Sequence, residues 1–388
     1  MGLGRGALGG LDQAVTGAAL ANAYAARRVF VTGHTGFKGA WLAEWLGILG
    51  AEVTGYALDP PTKPSLFEAL DLGSRLRHVV ADVRDRDRLA AEVQASQPSV
   101  IFHLAAQAIV RRAYAEPHET FETNVMGTVN VLEAARACPS VRAVVIVTSD
   151  KCYENHEGDR AFRETDPMGG RDPYSASKGC AELVTAAYRD SFFAGGAAVA
   201  SVRAGNVIGG GDWAADRIIP DCARSLAAGD PVVVRNPDAV RPWQHVLEPL
   251  SGYLWLAALL LRDGRRYEGP WNFGPGDHDA DRPVRWVVER FLEEWGSGSW
   301  TAPADSGLQP QEAHGLSVDS AKARDQLWWA PVWDTQTAVR RTASWYREYH
   351  RTPASARALV EDHLRAYQDD ARAAGLPWAV ADEDGSNT

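Results

Sequence analysis

The sequence has few of the residues that build disulfide frameworks or metal centres. Its 388 residues include only four cysteines, Cys138, Cys152, Cys180 and Cys222, and none of them forms a Cys-x-x-Cys pair. The ten histidines also lack the spacing of metal ligands, so neither a zinc site nor a disulfide framework is predicted. Widely spaced cysteines are typical of a reducing compartment, and we expect the protein in the cytoplasm.

Long apolar runs and blocks of basic residues are also absent. No stretch reaches the ~18 to 20 apolar residues that span a bilayer, and the nearest, residues 253–261, is predicted to be a buried helix. The net charge is -10 and the basic residues do not cluster, so no nucleic-acid partner is expected. The hydrophobic content of 45% indicates a folded protein of enzyme size.

Short β-branched runs alternate with helical segments from Arg28 onward. Strands at 28–32 and 52–56 flank a helix over 37–49, and further strands follow at 77–80, 99–103, 141–148 and 198–203. This order predicts an α/β fold with a Rossmann-type, doubly wound parallel sheet, completed by the strand at 198–203. One long helix is expected to end near Cys138.

The chain is predicted to divide into four regions. Residues 1–25, rich in glycine and alanine, are expected to form a disordered or loosely helical extension, and residues 26–204 the domain built on the sheet. Residues 205–350 would form mainly a smaller substrate-binding lobe, with some segments returning to the first domain. Residues 351–388 would form a C-terminal helix, over 355–370, and a frayed tail.

A glycine-rich turn follows the first strand. Gly33, Gly36 and Gly39 stand three residues apart, where missing Cβ atoms let the backbone approach a pyrophosphate at a helix N-terminus. This context predicts a dinucleotide site. Asp59 could bind the adenosine ribose and repel a 2′-phosphate, which favours NAD over NADP, or it is an exposed loop residue. Asp82, after the third strand, could meet the adenine or cap a helix.

A second motif lies further along the chain. Tyr174 and Lys178 stand four residues apart at the start of a predicted helix, so both project from one face. An ammonium group beside a phenol lowers its pKa toward that of a general base. The strand before it ends in Ser149-Asp150-Lys151, which would overlie the cofactor crevice or merely form a polar turn. The Tyr-x-x-x-Lys spacing also occurs by chance on helices. Its position after the glycine-rich turn and after the strand that ends in Ser149-Asp150-Lys151 is what makes a catalytic role credible here.

Seven sequence blocks occur together between residues 32 and 274. They are Thr-Gly-His-Thr-Gly-Phe-Lys-Gly at 32–39, His-Leu-Ala-Ala-Gln at 103–107, Thr-Asn-Val-Met-Gly-Thr at 123–128, Thr-Ser-Asp-Lys-Cys-Tyr at 148–153, Gly-Asn-Val-Ile-Gly-Gly-Gly-Asp-Trp at 205–213, Arg-Pro-Trp-Gln-His-Val-Leu-Glu-Pro at 241–249 and Trp-Asn-Phe-Gly at 271–274. This combination resembles the extended short-chain dehydrogenases/reductases, and within them the CDP-glucose 4,6-dehydratase family. Lys151 is the most discriminating residue, since dTDP-glucose and GDP-mannose dehydratases carry Glu there. Trp328, where a Gly is expected, residues 156–162 and residues 1–25 depart from the pattern.

The resemblance implies a hydro-lyase that uses NAD without net consumption and acts on a nucleotide hexose, CDP-glucose above all. Tyr174, assisted by Lys178 and Ser149, would take the C4 hydroxyl proton while hydride passes to NAD. Asp150 would protonate the departing C6 hydroxyl, and Lys151 would remove the C5 proton or hold the substrate. The residues implied for cofactor binding are Gly33, Thr35, Gly36, Phe37, Lys38, Gly39, Asp59, Asp82, Val83, Leu104, Ala105, Ala106, Gln107, Tyr174 and Lys178.

The resemblance also implies how the nucleotide is held. Asn206, at a helix start, and Arg217, Arg235 and Arg241 would bind the diphosphate, unless these arginines form surface ion pairs. Asn124 would support the site from behind, no metal is implied, and a homodimer through the helices around Tyr174, or a higher oligomer, is expected. Two other functions stay open: a related NAD-dependent epimerase, decarboxylase or dehydratase for another nucleotide, and a non-catalytic NAD-binding scaffold.

Overall fold

The computed structural model describes residues 19–155, 160–276, 282–303 and 316–380. Its strands are β1 (Arg28–Thr32), β2 (Glu52–Ala57), β3 (Arg77–Val80), β4 (Val100–His103), β5 (Ala143–Val147), β6 (Ala198–Ala204), β7 (Val207–Ile208), β8 (Val232–Val233), β9 (Val240–Arg241), β10 (Gln244–His245), β11 (Gly269–Phe273), β12 (Arg282–Pro283) and β13 (Trp300–Thr301). The α-helices are α1 (Ala19–Tyr24), α2 (Phe37–Ile48), α3 (Leu66–Ala69), α4 (Leu72–Arg75), α5 (Arg86–Ser96), α6 (Val110–Ala115), α7 (Pro117–Phe121), α8 (Gly127–Ala137), α9 (Pro173–Phe192), α10 (Ile218–Ala228), α11 (Leu247–Asp263), α12 (Val284–Trp295), α13 (Ala321–Leu327), α14 (Thr335–Arg351) and α15 (Ala356–Ala373).

Seven of these strands form one parallel sheet in the order β11-β6-β5-β4-β1-β2-β3. The order reverses between β1 and β4, which opens a crevice at the carboxyl ends of these strands. Side chains alternate across the sheet, so that Val29 and Val31 join the core on one face and Phe30 the core on the other. The predicted α/β fold with a Rossmann-type parallel sheet is therefore confirmed.

The expected long helix before Cys138 is wrong. The segment is divided into α6, α7, a π-helical turn over Glu122–Met126, and α8. Glu116 leaves the helical conformation, with φ -130° and ψ 60°, and Pro117 begins the next helix. Proline lacks the backbone N–H that would continue the preceding helix, so the chain breaks there.

The sequence predicted that the strand at 198–203 completes the sheet, but the sheet continues beyond β6. Strand β11 pairs in parallel with β6 from Gly269↔Ala200 to Phe273↔Ala204, although it comes from the second half of the chain. Trp271 and Phe273 are fully buried on β11. An apolar strand of this kind is covered on both faces only when it joins the sheet, which explains why it returns.

Both ends of the described chain pack into the core. Of the two alternatives for residues 1–25, a disordered or a loosely helical extension, the described part is helical: Leu20 and Tyr24 of α1 are buried, and the Tyr24 hydroxyl donates to the Leu254 carbonyl at 2.8 Å. Residues 1–18, and the tail predicted to fray at 381–388, lie outside the described residues. Helix α15 buries Tyr367 among Trp45 and Trp378 and belongs to the core.

Two further features follow from local sequence. The apolar run over 253–261 lies inside α11 and is almost wholly buried, as predicted, and no helix in the described part of the chain is long and apolar enough to span a membrane. Trp328 ends α13 in the left-handed conformation, with φ 57° and ψ 27°. This is the conformation that glycine adopts without strain, so the departure noted at Trp328 falls where a Gly fits better.

Candidate active site

A cavity of about 870 Å³ opens at the carboxyl ends of the central strands. Its lining includes every residue that the sequence singled out as a cofactor, catalytic or substrate residue: Gly33, Thr35, Gly36, Phe37, Lys38, Gly39, Asp59, Asp82, Val83, Leu104, Ala105, Ala106, Gln107, Ser149, Asp150, Lys151, Tyr174, Lys178, Asn206, Arg217, Arg235 and Arg241. The parallel sheet therefore brings residues from six separate sequence blocks to one edge.

Glycine is required in the turn between β1 and α2 because the backbone there lies too close to other backbone atoms to leave room for a Cβ. Gly33 has φ +76°, and a Cβ there would lie 2.6 Å from the backbone nitrogen of Ala105. A Cβ on Gly39 would lie 2.1 Å from the Gly33 carbonyl oxygen. Gly36 is the N-cap of α2 and offers no capping side chain, so the first backbone N–H groups of α2 are available to an anion in the cavity.

The segment 104–107, called here the strip after β4, is hydrogen-bonded to β1. The Oγ1 atom of Thr32 lies 2.7 Å from Nδ1 of His103 and accepts hydrogen bonds from the backbone N–H groups of Leu104 and Ala105, both at 3.2 Å. Gln107 is fixed at the other end of the strip, because its backbone N–H donates to Asn124 Oδ1 at 2.9 Å. The strip is therefore a preformed wall of the cavity.

The two aspartates predicted for the adenosine end differ in their surroundings. Asp59 is exposed where it lines the cavity. The carboxylate of Asp82 forms an ion pair with Arg84 at 2.6 Å and accepts the backbone N–H of Arg84 at 2.9 Å. The suggestion that Asp82 caps a helix is wrong, since the N-cap of α5 is Asp85, whose side chain accepts from the backbone N–H of Arg88.

A short 3-10 helix, Asp150–Cys152, follows β5 and carries two of the candidate catalytic residues, Asp150 and Lys151. Ser149 caps it: Oγ accepts the backbone N–H of Lys151 at 3.2 Å and donates to Asp150 Oδ1 at 3.0 Å. Asp150 is 3% exposed, and its Oδ2 has no hydrogen-bond partner among the described residues. Burial raises the pKa of this carboxyl group, against the opposing charges of Lys151, Arg241 and Lys38.

Tyr174 and Lys178 lie on the first turns of α9, which Asp172 caps by accepting the backbone N–H of Ser175 at 2.9 Å. Lys178 Nζ donates to the Val147 carbonyl at 3.2 Å, at the end of β5. Burial lowers the pKa of Lys178 to about 8. The expected lowering of the Tyr174 pKa is wrong for these surroundings, because burial of the phenol raises it to about 12 and outweighs the hydrogen bond with Ser149.

The candidate diphosphate residues lie at the far end of the cavity and are already engaged. Arg217 donates to Asp212 at 2.8 Å and Arg235 to Asp216 at 2.8 Å. Arg241 is buried and donates to the Val240 carbonyl at 2.8 Å. The prediction that Asn206 stands at a helix start is wrong. The residue lies between β6 and β7, because the chain continues there as a second strand.

Asn124 lies in the π-helical turn behind the cavity. Its Nδ2 donates to Ser177 Oγ at 2.8 Å and to the Gln107 carbonyl at 3.0 Å, so the side chain connects α9 to the strip after β4. This arrangement agrees with a supporting position. Asn124 does not line the cavity.

Two charged residues have surroundings that the sequence interpretation missed. Lys38, assigned only to the cofactor, has its Nζ 5.7 Å from the centre of the Tyr253 ring, and burial lowers its pKa to about 7. Glu182 is buried one helical turn after Lys178. The Lys-x-x-x-Glu spacing, visible in the sequence, would have placed it on the same helix face.

Comparisons with known proteins agree with this architecture. A sequence model of the NAD dependent epimerase/dehydratase family matches residues 29–268. The chain is 49% identical over 337 residues to CDP-glucose 4,6-dehydratase of Salmonella typhimurium, covering 85% of this chain and 93% of the relative. It is 27% identical over 340 residues to dTDP-glucose 4,6-dehydratase of Neisseria gonorrhoeae, covering 82% of this chain and 95% of the relative.

Solved structures give the same result. The dTDP-glucose 4,6-dehydratase of Streptomyces venezuelae, solved with NAD bound, superposes with a TM-score of 0.68 at 27% identity, over 84% of this chain and 99% of that chain. The UDP-glucose 4-epimerase of Thermus thermophilus, also solved with NAD, gives a TM-score of 0.70 at 26% identity, over 82% and 99%. The resemblance inferred from the sequence blocks is confirmed, and the chain belongs to the NAD-dependent epimerase/dehydratase family.

Proposed function

We propose that this chain is an NAD-dependent hydro-lyase that converts CDP-glucose to CDP-4-keto-6-deoxyglucose. The observation that carries the proposal is the buried Asp150, whose Oδ2 has no hydrogen-bond partner in the part of the chain that the structure describes, in one cavity with Tyr174, Lys178 and the glycine turn. Tyr174 as a base for one hydroxyl of the sugar and Asp150 as an acid for another suit a reaction that couples oxidation to the elimination of water. The 49% identity to CDP-glucose 4,6-dehydratase of Salmonella typhimurium supports the choice of nucleotide.

The glycine turn and the strip after β4 would hold NAD. The first N–H groups of α2 would bind the pyrophosphate, and the exposed Asp59 would accept hydrogen bonds from the adenosine ribose. Asp82 is occupied by Arg84 and is the weaker candidate for the adenosine. Bound NAD supplies the reversible hydride acceptor that this chemistry needs.

Tyr174 would remove the C4 hydroxyl proton as the C4 hydride leaves, with Ser149 hydrogen-bonded to the same oxygen. Lys178, on the same helix face, stabilises the phenolate that this step requires. Because burial raises the pKa of Tyr174 to about 12, the phenolate is scarce at neutral pH. Turnover should therefore increase with pH above 7 until Lys178, whose pKa is about 8, loses its proton.

The 4-keto group then acidifies the C5 proton, which Lys151 would accept. Asp150, in its protonated form, which burial favours by raising its pKa, would donate its proton to the C6 hydroxyl, which leaves as water. With the reversible hydride transfer that bound NAD would supply, C4 would be oxidised, C6 reduced and C5 protonated again, so that one water is lost and the sugar undergoes no net change of oxidation state. If Lys151 instead holds the substrate, Lys151→Met would leave deuterium exchange at C5 unchanged.

The nucleotide diphosphate would lie between Asn206 and the three arginines. Arg241 is the best placed of them, because its charge reaches Asp150 and its side chain is buried. Arg217 and Arg235 would exchange their aspartate partners for phosphate oxygens, which guanidinium groups bind through paired hydrogen bonds. Arg241→Ala should raise the substrate KM while NAD stays bound.

One experiment tests the reaction and the nucleotide together. The protein is offered CDP-, dTDP-, GDP- and UDP-glucose in heavy water, and the products are weighed by mass spectrometry. We expect CDP-glucose to lose one water and gain one deuterium at C5, without accumulation of NADH. Tyr174→Phe, folded and still binding NAD, should abolish turnover. A product of unchanged mass would indicate an epimerase, and turnover of other nucleotides alone would contradict the substrate.

We also propose that two copies associate through α7, the π-helical turn and α9, which pack against one another. These elements expose large apolar side chains at Phe121, Met126, Leu183 and Phe192, the last three more than half exposed. Leu183→Glu should convert a dimer to a monomer in light scattering. The cytoplasmic localisation stays a prediction, and the four cysteines are free thiols in the structure.

A further inference from the structure

Behind the candidate catalytic residues lies a buried network centred on Glu182. Both carboxylate oxygens of Glu182 accept hydrogen bonds: Oε1 from Thr148 Oγ1 at 2.5 Å, and Oε2 from Ser201 Oγ and Arg203 Nη2, each at 2.7 Å. The Glu182 and Arg203 side chains are only 4% and 3% exposed. A buried charge pair with this many fixed partners holds its elements in one geometry.

The network is attached to both ends of the 3-10 helix that carries Asp150 and Lys151. Thr148 precedes this helix and donates to Glu182. Tyr153 follows it, and the Tyr153 hydroxyl accepts from Arg203 Nη1 at 2.7 Å and donates to Asn272 Oδ1 on β11 at 2.7 Å. The backbone that aims the acid and the candidate base is therefore fixed at both ends by one ion pair.

Glu182 stands four residues after Lys178 on α9, and both side chains are buried. Lys178 Nζ donates to the Val147 carbonyl, and Glu182 accepts from Thr148, so the ammonium and the carboxylate meet adjacent residues of one strand end. Other ionisable groups that face Lys178 are Cys152 from the 3-10 helix, His103 from β4 and Lys38 from α2. The thiol and the imidazole are neutral near pH 7, since burial raises the pKa of Cys152 and lowers that of His103 to about 3.

We propose that Glu182 is a positioning residue of the active site: its carboxylate is the counter-ion that keeps Lys178 protonated, and with Arg203 it fixes the segment from Ser149 to Lys151. Among the groups that act on Lys178, Glu182 is the one that most opposes the effect of burial on its pKa. Loss of this charge would favour the neutral form of Lys178 and so remove the cation near Tyr174, although Glu182 itself does not line the cavity.

Lysine NMR tests the first half of the proposal independently of the proposed function. The chain has five lysines, Lys38, Lys63, Lys151, Lys178 and Lys322, so 13Cε-lysine labelling gives few signals, and Lys178→Arg assigns the one required. In Glu182→Gln we expect the Lys178 titration midpoint to fall by about one pH unit or more. In the matched variant Arg203→Met, which breaks the same ion pair but keeps the carboxylate, the midpoint should stay or rise.

An unchanged Lys178 midpoint in Glu182→Gln would overturn the proposal, as would an equal fall in both variants. If the single variants do not fold, Glu182→Gln/Arg203→Met removes both buried charges and should still lower the midpoint. The wild-type protein gives a third check, because a Lys178 midpoint below about 6, expected of a buried lysine without a counter-ion, contradicts the role of Glu182.

The second half rests on the proposed function and has its own variant. Tyr153→Phe removes the hydroxyl between Arg203 and Asn272 but leaves all charges in place. We expect kcat for CDP-glucose to fall at least about tenfold, with an unchanged Lys178 midpoint, since misplacement of catalytic groups acts on the chemical step. An unchanged kcat would contradict the fixing role, whereas a wild-type protein inactive on every nucleotide sugar would contradict only the proposed function.

Discussion

At the scale of single residues, the proposed reaction needs a proton on Asp150, whose pKa burial raises. Asp150→Asn preserves the shape and hydrogen bonds of the side chain but has no proton to give. We expect C4 oxidation to continue and elimination to slow at least about 100-fold. Absorbance at 340 nm should then show NADH accumulating with CDP-glucose, and an Asp150→Asn protein with normal dehydration would exclude Asp150 as the acid.

If Arg235 binds the diphosphate as proposed, Asp216 would compete with the substrate for its guanidinium group. Asp216 binds Arg235 at 2.8 Å and has φ +62°, a conformation that asparagine tolerates as well as aspartate. Asp216→Asn should leave the backbone unchanged and free Arg235 for phosphate. A surface ion pair is worth about 0.2–1 kcal/mol, so the substrate KM should fall by up to about fivefold. Steady-state kinetics check this, with Arg235→Gln expected to raise KM.

The sequence reaches the identity of these residues more easily than their ionisation. The spacing of Tyr174 and Lys178 predicts a shared helix face, and the structure has it. The pKa of each group depends on how much water the surrounding elements exclude, which no local pattern encodes. The contacts of Glu182 with Thr148 and Arg203 were hidden for a related reason, since they join residues that are distant in the chain.

At the scale of elements, two glycines of α2 differ in the space that surrounds them: Gly39 has no room for a side chain, whereas Gly47 has. Gly39→Ala places a Cβ 2.1 Å from the Gly33 carbonyl oxygen, and we expect NAD binding to be lost. Gly47, on the same helix, has nothing within 4 Å of a built Cβ. Gly47→Ala should keep NAD binding and stabilise the fold by up to about 1 kcal/mol. Calorimetric titration with NAD and thermal melts check both.

Elements with a local cause were the ones that the sequence predicted well. The strands at 28–32 and 77–80 have the predicted bounds, because β-branched runs flanked by polar residues mark them. The break at Pro117 was visible in the sequence but was read as part of one helix. Strand β11 could not be joined to the sheet from its sequence alone, since only the uncovered edge of β6 determines where it pairs.

At the scale of the whole molecule, buried histidines make stability depend on pH. Burial lowers the pKa of His34, His103 and His363 to about 3, and that of His245 also falls well below 6.5. The unfolded chain binds these protons below about pH 6.5 and the folded chain does not, so stability present above pH 6.5 is lost as the pH falls. Glu248, whose pKa burial raises to about 7, acts in the opposite direction and offsets part of the loss.

We expect the free energy of unfolding to fall by at least about 3 kcal/mol per pH unit below pH 6.5, since each net proton contributes about 1.4 kcal/mol. His363→Leu should reduce this slope by about one proton. His363 packs against Trp41 and Trp333, outside the cavity lining, and its Nδ1 has no partner within the described ranges, so leucine fits its surroundings. Urea titrations at pH 7, 6 and 5 measure the slope, and equal slopes for both proteins would contradict the assignment.

The return of β11 to the sheet affects how the chain folds during synthesis. Strand β6 leaves the ribosome with one apolar edge open, and its partner follows only after the segment 205–268 has been made. At roughly 5–20 residues per second, that edge waits several seconds. The side chain of Trp45 stays uncovered for longer, because Tyr367 and Trp378, which pack against it, are synthesised near the end of the chain. Open strand edges recruit other chains, so the yield of active protein should depend on chaperone supply and synthesis rate more than on final stability.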